Sequence, residues 1–241
     1  MDVSEKKIWT YQPKEGEQFF FMHIPKTGGT TFRKMLTNHF PEGSYYPTKA
    51  DLIGNGGKYF SLKEIVSNNP EILKKNLIMG HFDIKLVKHL YPNVKIIAFF
   101  RNPLDRILSH TKHILANDPK WNGADPNLLI REKIKILNLV QSKYMGFERG
   151  AFQKVEKNME SIDFVGILEY FDESVELFNE MFNQNLVFIS PQNRSSVKFN
   201  GISNKTMSLL SRSIIVEVKT YKRAFEHFRR NCKINNINLI V

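Results

Sequence analysis

Residues 19–36 read FFFMHIPKTGGTTFRKML, an apolar run followed by a glycine-containing turn and an amphipathic segment. Phe19–His23 has the length and composition of a buried strand. After the turn, apolar residues recur at helical spacing across Thr31–Asn38. The stretch therefore predicts a strand, a loop and a helix, which is the repeating unit of folds with a parallel sheet.

The same alternation continues along the chain. Short apolar runs typical of strands occupy Asn76–Met79, Val94–Phe100, Asp163–Leu168 and Leu186–Ser190. Helical periodicity occupies Leu104–Ala116, Leu128–Lys157 with breaks near Gly146 and Gly150, Phe171–Phe182 and Lys205–Arg230. We therefore predict an α/β fold with a central parallel sheet flanked by helices on both faces, and a helical insertion within Asn117–Lys157. Ligands in such folds bind at the carboxyl ends of the strands.

The length of 241 residues predicts a single domain, with a polar and peripheral segment at residues 1–18. The apolar run at Phe19–Met22 is too short for a signal peptide or a membrane span. Cys232 is the one cysteine of the sequence, so an intrachain disulfide and a cysteine-based metal cluster are both excluded. We therefore expect a cytoplasmic protein without a membrane span.

The sequence carries 35 Lys and Arg against 24 Asp and Glu, a formal net charge of +11. This balance favours anionic partners, because a basic surface concentrates and steers polyanions. The alternative is a composition bias in which scattered lysines cover an ordinary solvated surface. The basic residues form no stripe interleaved with aromatic side chains, so binding to nucleic acid is not expected. A noncatalytic polyanion-binding protein stays an alternative interpretation.

The turn after the first strand has the composition of an anion-binding loop. Adjacent glycines let the backbone close around an anion with its N–H groups pointing inward, and a lysine and threonine hydroxyls supply further donors. The candidate residues are Pro25, Lys26, Thr27, Gly28, Gly29, Thr30 and Thr31. A tight turn with a capped helix is the alternative interpretation of the same residues.

The order of residues in this loop differs from that of a nucleoside triphosphate P-loop, G-x-x-x-x-G-K-[ST]. Here Lys26 precedes the glycines. A magnesium-dependent kinase also needs a carboxylate near the end of a neighbouring strand, whereas Val94–Phe100 ends in Arg101. Both features argue against an ATP-dependent kinase of P-loop ancestry, which is nevertheless the main alternative function.

A second candidate anion site follows the strand Val94–Phe100. Arg101 lies at the strand end and Ser109 lies two turns into the next predicted helix, so that both can reach one phosphate. The arginine supplies a planar fork of donors, and the serine adds a neutral hydrogen bond. Alternatively, Arg101 and Arg106 pair with Asp105 or another surface acid.

Together these segments resemble the sulfotransferases that use 3′-phosphoadenosine 5′-phosphosulfate (PAPS), in the branch of the heparan sulfate 2-O-sulfotransferases and their bacterial relatives. Pro25–Thr31 matches the P-K-T-G-G-T-[ST] loop of that family, and the segment from Arg101 to Ser109 matches R-[ND]-P-x-x-R-x-x-S. Val165–Ser174 is more loosely similar to a late strand-to-helix segment. The resemblance extends over most of residues 19–230 and implies a P-loop-like, three-layer fold.

The resemblance implies that the loop binds the 5′-phosphosulfate of PAPS, and that Arg101 and Ser109 bind its 3′-phosphate. Sulfuryl transfer to an acceptor hydroxyl then releases adenosine 3′,5′-bisphosphate. Lys26 is expected to neutralise charge on the leaving oxygen. Neither a metal ion nor a covalent intermediate is required, because the donor is already activated and no nucleophilic Cys or Ser is suitably placed.

His81, in the sequence Met79-Gly80-His81-Phe82, is the candidate general base. It follows a predicted strand and has a side chain that titrates near neutral pH. The resemblance assigns the catalytic histidine of the 2-O-sulfotransferase branch to this position. Asp83 is the alternative base, although a helix cap would explain it equally well.

Further candidate residues concern the 3′-phosphate, adenine and the acceptor. The polar segment Ser190–Lys198 lies where related enzymes close a loop over the nucleotide, so Arg194 and Ser195 are candidate ligands of the 3′-phosphate. Phe82 or Tyr221 could stack on adenine, or could belong to the core. The acceptor cleft is expected at Asn117–Lys157 and Asp51–Lys58. An anionic glycan, a lipid-linked sugar and a small metabolite stay open as acceptors, and the oligomeric state cannot be read from the sequence.

Overall fold

The computed structural model describes residues 18–54, 70–90, 93–148, 151–190 and 201–239. The strands of these residues form one parallel sheet and are β1 (Phe19–Met22), β2 (Tyr45–Tyr46), β3 (Leu77–Gly80), β4 (Lys95–Phe100) and β5 (Phe164–Ile167). Their spatial order is β2-β3-β1-β4-β5. The predicted central parallel sheet is confirmed, and β1 lies in its middle.

Helices flank this sheet, as the sequence predicts for an α/β fold. The α-helices are α1 (Gly29–His39), α2 (Lys49–Gly54), α3 (Ile84–Leu90), α4 (Pro103–Asn117), α5 (Pro126–Leu137), α6 (Val140–Tyr144), α7 (Phe152–Met159), α8 (Phe171–Phe182), α9 (Asn204–Ser213) and α10 (Ile215–Ile234). Short 3-10 helices span Pro70–Lys74 and Leu168–Tyr170. Among the described residues, none of the helices combines the length and the apolar composition that a membrane span requires.

The central position of β1 explains why its sequence is apolar at every residue. β1 pairs with β3 along one edge and with β4 along the other, and each of its four side chains is buried. Helix α1 then packs onto the sheet through Phe32, whose ring lies 4.6 Å from that of Phe99 and 5.3 Å from that of Phe178. Burying each such side chain contributes about 1.5–3 kcal/mol to folding.

The strand order creates a crevice at the carboxyl ends of β1 and β4. The chain leaves β1 for β2 and β3 on one side, and then crosses to β4 on the other side. Ligands of parallel sheets bind at such a switch point, because the two connections diverge there. Met22 pairs with Ala98, so β4 extends two residues beyond β1 before Arg101 begins the next loop. Both predicted anion-binding segments therefore border one crevice.

The predicted helical insertion is confirmed and forms helices α5, α6 and α7. Helix α5 packs against α4 and α9 through a second hydrophobic cluster, separate from the core beneath the sheet. Its buried members are Ile107, Leu115, Trp121, Leu129, Ile130, Leu137, Leu210 and Ile214. Gly146, with φ at 73°, follows the end of α6 at the predicted break, whereas Gly150 lies outside the described residues.

The predicted strand at Leu186–Ser190 is wrong, because this segment has no regular structure. The Asn179 side chain at the end of α8 forms hydrogen bonds with the backbone N–H and carbonyl of Leu186, which in a strand would pair with a neighbouring strand. Its Oδ1 accepts the Leu186 N–H at 2.8 Å, and its Nδ2 donates to the Leu186 carbonyl at 3.3 Å. A side chain thus replaces the ladder, and Val187 stays exposed.

The single helix predicted for Lys205–Arg230 is also wrong, since it is two helices, α9 and α10, that meet at Ile214. The Ser213 hydroxyl donates to the Leu210 carbonyl at 3.0 Å and competes there for an acceptor of the last turn of α9. The break lets α9 follow the insertion while α10 contacts β5 and the helices α6 and α7.

Gly166 of β5 is a sensitive point of the sheet. A Cβ atom at this position would lie 2.5 Å from Cε1 of Phe99, the residue that it pairs with on β4. We expect Gly166→Ala to lower the free energy of unfolding by about 1–3 kcal/mol in urea denaturation, because the ring has to move out of a packed core. In the double variant with Phe99→Leu, the free energy of unfolding should fall by less than the sum of the losses in the two single variants. Equality with that sum would contradict this account.

Candidate active site

The loop between β1 and α1 is folded as an anion cradle. Lys26 and Gly28 both adopt left-handed backbone conformations, with φ of 68° and 87°. Within the described residues, the backbone N–H groups of residues 26–30 donate to no protein acceptor. Successive N–H groups in such a turn, at the start of a helix, form a concave site of positive potential. The loop therefore has the geometry that a phosphate or sulfate group requires.

The three threonines of this loop differ in their hydrogen bonds and in their exposure. The Thr27 hydroxyl donates to the Ile24 carbonyl at 2.9 Å and braces the turn, so Thr27 can offer its backbone N–H to an anion. Thr30 is exposed in the first turn of α1. Thr31 is buried, and its N–H donates to the Gly28 carbonyl.

Both glycines of the loop are required by close neighbours. A Cβ atom on Gly28 would lie 2.5 Å from Cδ1 of Leu168, just after β5. A Cβ atom on Gly29 would lie 2.1 Å from Cδ2 of His23. Side chains at these positions would push the loop away from the strand ends, and the cradle would open.

Lys26 and Arg101 are brought together at the crevice. Nη1 of Arg101 donates to the carbonyl of Lys26 at 3.4 Å. Burial, and then the nearby Arg101 charge, lower the pKa of Lys26 below its ordinary value. The two positive charges act on each other, and an anionic ligand would stabilise both of them. In the described residues neither Arg101 nor Arg106 pairs with Asp105 or another surface acid, and the carboxylate nearest to Arg106 is that of the buried Glu217.

Helix α4 supplies the other wall of this positive region. Ser109 is half-buried there, and its hydroxyl forms no hydrogen bond with any described protein group. Next to it, burial and the charges of Arg106, Lys26 and His113 lower the pKa of His110 to about 4. No sequence pattern supports a role for His110, because its environment depends on the fold of the preceding loop.

His81 stands on the other side of the β1 loop and is oriented by His23. The two rings stack with centroids 4.6 Å apart, and Nδ1 of His81 lies 2.6 Å from the His23 carbonyl oxygen. Because a carbonyl only accepts, Nδ1 carries the proton of the neutral ring, and Nε2 is its basic nitrogen. The side chain reaches solvent, yet burial lowers the pKa of His81, as does the Arg33 charge, while the bond to His23 raises it. His81 is therefore held as a neutral base at neutral pH.

The other residues considered near this site have different environments. Asp83 accepts the Leu86 N–H at 3.0 Å, which is the helix-capping arrangement. Phe82 is buried against Phe20, with ring centroids 5.7 Å apart, and belongs to the core. The Tyr221 hydroxyl donates to Glu169 at 3.1 Å.

The predicted nucleotide loop and acceptor loop fall partly outside the described residues. Arg194 and Ser195 lie outside the described residues, and so do residues 55–58 of the predicted acceptor loop. Asp51 lies in α2, where its carboxylate accepts the backbone N–H of Thr48 at 2.7 Å. The described residues contain no group of three or more His, Cys, Asp or Glu side chains arranged to hold a metal ion.

A model of the sulfotransferase family matches residues 9–190. The chain belongs to the sulfotransferase family. The matched range contains the anion cradle, Arg101, Ser109 and His81, and it agrees with the resemblance seen in the sequence. No curated protein matches this sulfotransferase-family chain. Membership supports sulfuryl transfer as the general activity. Helices α9 and α10 lie beyond the matched residues.

The buried His23 predicts that acid weakens the fold of this sulfotransferase. Burial, and then the charges of His81, Arg33 and Lys26, lower the pKa of His23 from 6.5 to about 3. The unfolded chain therefore binds a proton below pH 6.5 that the native state excludes. This group alone should lower the free energy of unfolding by about 1.4 kcal/mol per pH unit as the pH falls from 6.5 towards 3.

Urea denaturation between pH 6.5 and 5 tests this expectation. His23→Phe keeps the aromatic stack but removes the titrating group, so its unfolding free energy should fall less steeply with acidification than that of the wild type. His89→Gln, at an exposed position, should keep the wild-type slope. Equal slopes for the wild type and His23→Phe would contradict the assignment.

Proposed function

We propose that the chain transfers a sulfuryl group from PAPS to a hydroxyl group of an acceptor by in-line displacement at sulfur. The observation that carries the proposal is the pairing of two cationic strand ends across one crevice. The loop after β1 contributes Lys26 and the N–H groups of residues 26–30, which have no acceptor among the described residues, and the loop after β4 contributes Arg101. PAPS carries anionic groups at both its 5′ and 3′ positions, which these two ends suit.

Each end has a distinct role in this proposal. The cradle binds the 5′-phosphosulfate, and Lys26 stabilises the negative charge that grows on the bridging oxygen as it leaves with adenosine 3′,5′-bisphosphate. Arg101 binds the 3′-phosphate through its planar fork of donors, and the Ser109 hydroxyl fixes the orientation of that phosphate. No described protein group competes for the Ser109 hydroxyl, so it is available to a ligand.

His81 takes the proton of the acceptor. As the acceptor oxygen forms its bond to sulfur, Nε2 of His81 accepts the hydroxyl proton, and the bond from sulfur to the bridging oxygen breaks. The hydrogen bond from Nδ1 to the His23 carbonyl keeps Nε2 as the accepting nitrogen and stabilises the imidazolium that forms. Atoms and charge balance without any additional reactant.

The acceptor class that we propose is a carbohydrate or a small metabolite, with an anionic glycan among the carbohydrates. The net charge of +11 would favour such a glycan. The helical insertion α5–α7 connects β4, which ends just before Arg101, to β5, and chain between core elements suits a region that selects the acceptor. We retain the cytoplasm as the proposed location.

Transfer of labelled sulfate from PAPS to a panel of sugars, glycans and phenols tests the proposed reaction. Transfer to at least one acceptor should occur, and it should persist in the presence of EDTA, because no step in the proposal uses a metal ion. ATP with Mg²⁺ should support no phosphoryl transfer to the same panel. Phosphoryl transfer from ATP in the absence of sulfuryl transfer would contradict the proposal in favour of a kinase.

Lys26→Ala should reduce kcat by roughly 100- to 1000-fold, since it removes a preorganised donor at a developing charge. Lys34→Ala on the exposed face of α1 changes the net charge by the same amount and should leave kcat unaltered. Equal losses in the two variants would indicate that bulk charge, rather than the position of Lys26, supports turnover.

The acid limb of the pH–rate profile should report His81. Because burial lowers the pKa of His81, kcat should fall at a more acidic pH than it would with an ordinary histidine as the base. His81→Gln should lower kcat by about 100-fold or more and abolish that limb, while the Kd for adenosine 3′,5′-bisphosphate stays the same. A variant that retains the wild-type rate, or the same acid limb, would exclude His81 as the base.

A further inference from the structure

The backbone at the end of β4 is clamped by a buried amide side chain. The Arg101 N–H donates to Oε1 of Gln141 at 2.8 Å, and Nε2 of Gln141 donates to the Arg101 carbonyl at 2.9 Å. Gln141 belongs to α6 and is fully buried. The donor and the acceptor of one strand-end residue are thus both held by the same side chain.

Gln141 is in turn held by a buried carboxylate of α10. Oε2 of Glu217 accepts the Gln141 N–H at 3.1 Å and its Nε2 at 3.4 Å, while Oε1 accepts the Ser142 N–H at 2.8 Å. Glu217 is fully buried, and Nε of the equally buried Arg106 lies 4.0 Å from its carboxylate. This carboxylate is therefore fixed in position by bonds from two other segments.

A second clamp holds the next residue of the same loop. The Asn102 N–H donates to Oε1 of Glu169 at 2.8 Å, and Oε2 of Glu169 accepts the Tyr221 hydroxyl at 3.1 Å. Tyr221 lies one turn after Glu217 on α10. Two consecutive N–H groups at the strand end are therefore held by α10, each through one intermediate side chain.

This arrangement is more than a fold anchor would need. A buried ion pair such as Glu217 with Arg106 contributes little net stability, because desolvation of the two charges offsets their attraction. An apolar contact between α10 and the sheet would fix the helix as well. The polar network adds a defined orientation of the peptide between Arg101 and Asn102. That orientation sets the direction in which the Arg101 side chain extends toward the crevice.

We propose that Glu217 and Tyr221 are positioning residues of the donor site, and that α10 belongs to this site although it lies beyond the matched residues. Acting through Gln141 and Glu169, they fix the strand-end backbone so that the Arg101 side chain meets the 3′-phosphate of the donor. The inference rests on the proposed function, since it assigns the 3′-phosphate to Arg101. It predicts a defect confined to the 3′-phosphate contribution to binding.

Calorimetric titration with two nucleotides isolates that contribution. Adenosine 3′,5′-bisphosphate uses both ends of the site, whereas adenosine 5′-phosphate uses the cradle alone. Gln141→Met removes the first clamp while filling its volume, and Tyr221→Phe removes one hydroxyl of the second clamp. Thr220→Val is the matched control, because the Thr220 hydroxyl donates within α10 to the Val216 carbonyl.

Gln141→Met should weaken binding of the bisphosphate by about tenfold, the effect of losing one hydrogen bond to a charged group, and change the Kd for the 5′-phosphate by less than about twofold. Tyr221→Phe should show the same selectivity with an effect of about threefold, and Thr220→Val should leave the ratio of the two Kd values unchanged. A role restricted to stability would alter the unfolding midpoint but not this ratio.

The inference is overturned if the folded Gln141→Met and Tyr221→Phe variants keep the wild-type ratio, or if both nucleotides weaken equally. Should Gln141→Met fail to fold, Tyr221→Phe decides alone, since it removes a single atom from a partly exposed side chain. A wild-type protein that does not distinguish the two nucleotides contradicts the proposed function itself. A wild-type protein that does distinguish them, with unaltered variants, contradicts only the role of α10.

Discussion

The hydrogen bond from the Arg101 guanidinium to the Lys26 carbonyl joins the two strand ends on which the donor site depends. It holds a cation of β4 beside the loop of β1, at the point where the sheet connections diverge. Around it, the N–H groups of residues 26–30 have no acceptor in the part of the chain that the structure describes. N–H donors without hydrogen-bond acceptors raise the free energy of the fold. An anionic ligand would accept their hydrogen bonds and also neutralise the two cations.

His81 depends on the same loop, although it approaches from β3. The His23 backbone connects β1 to the anion cradle, and its carbonyl orients His81, while its ring fills the space that Gly29 leaves open. One turn of chain therefore fixes both the candidate base and the candidate cradle. This explains physically how a base on one strand and an anion site on another keep a constant separation.

The sequence predicts correctly those elements that are encoded by a continuous stretch of residues. The apolar β1 run, the loop of Lys26 and the strand ending at Arg101 all appear as continuous patterns, and the family match agrees with them. The strand at Leu186–Ser190 was predicted wrongly because a side chain of α8 satisfies its backbone. The Gln141 and Glu217 contacts join residues 40 and more apart, which no local pattern reveals.

A crystal structure of the complex with adenosine 3′,5′-bisphosphate tests the central claim most directly. The 5′-phosphate should accept hydrogen bonds from the N–H groups of residues 26–30 and lie beside the Lys26 ammonium. The 3′-phosphate should lie within hydrogen-bonding distance of the Arg101 guanidinium and the Ser109 hydroxyl. A nucleotide that occupies only one of the two strand ends, or binds outside the crevice between β1 and β4, would contradict the account.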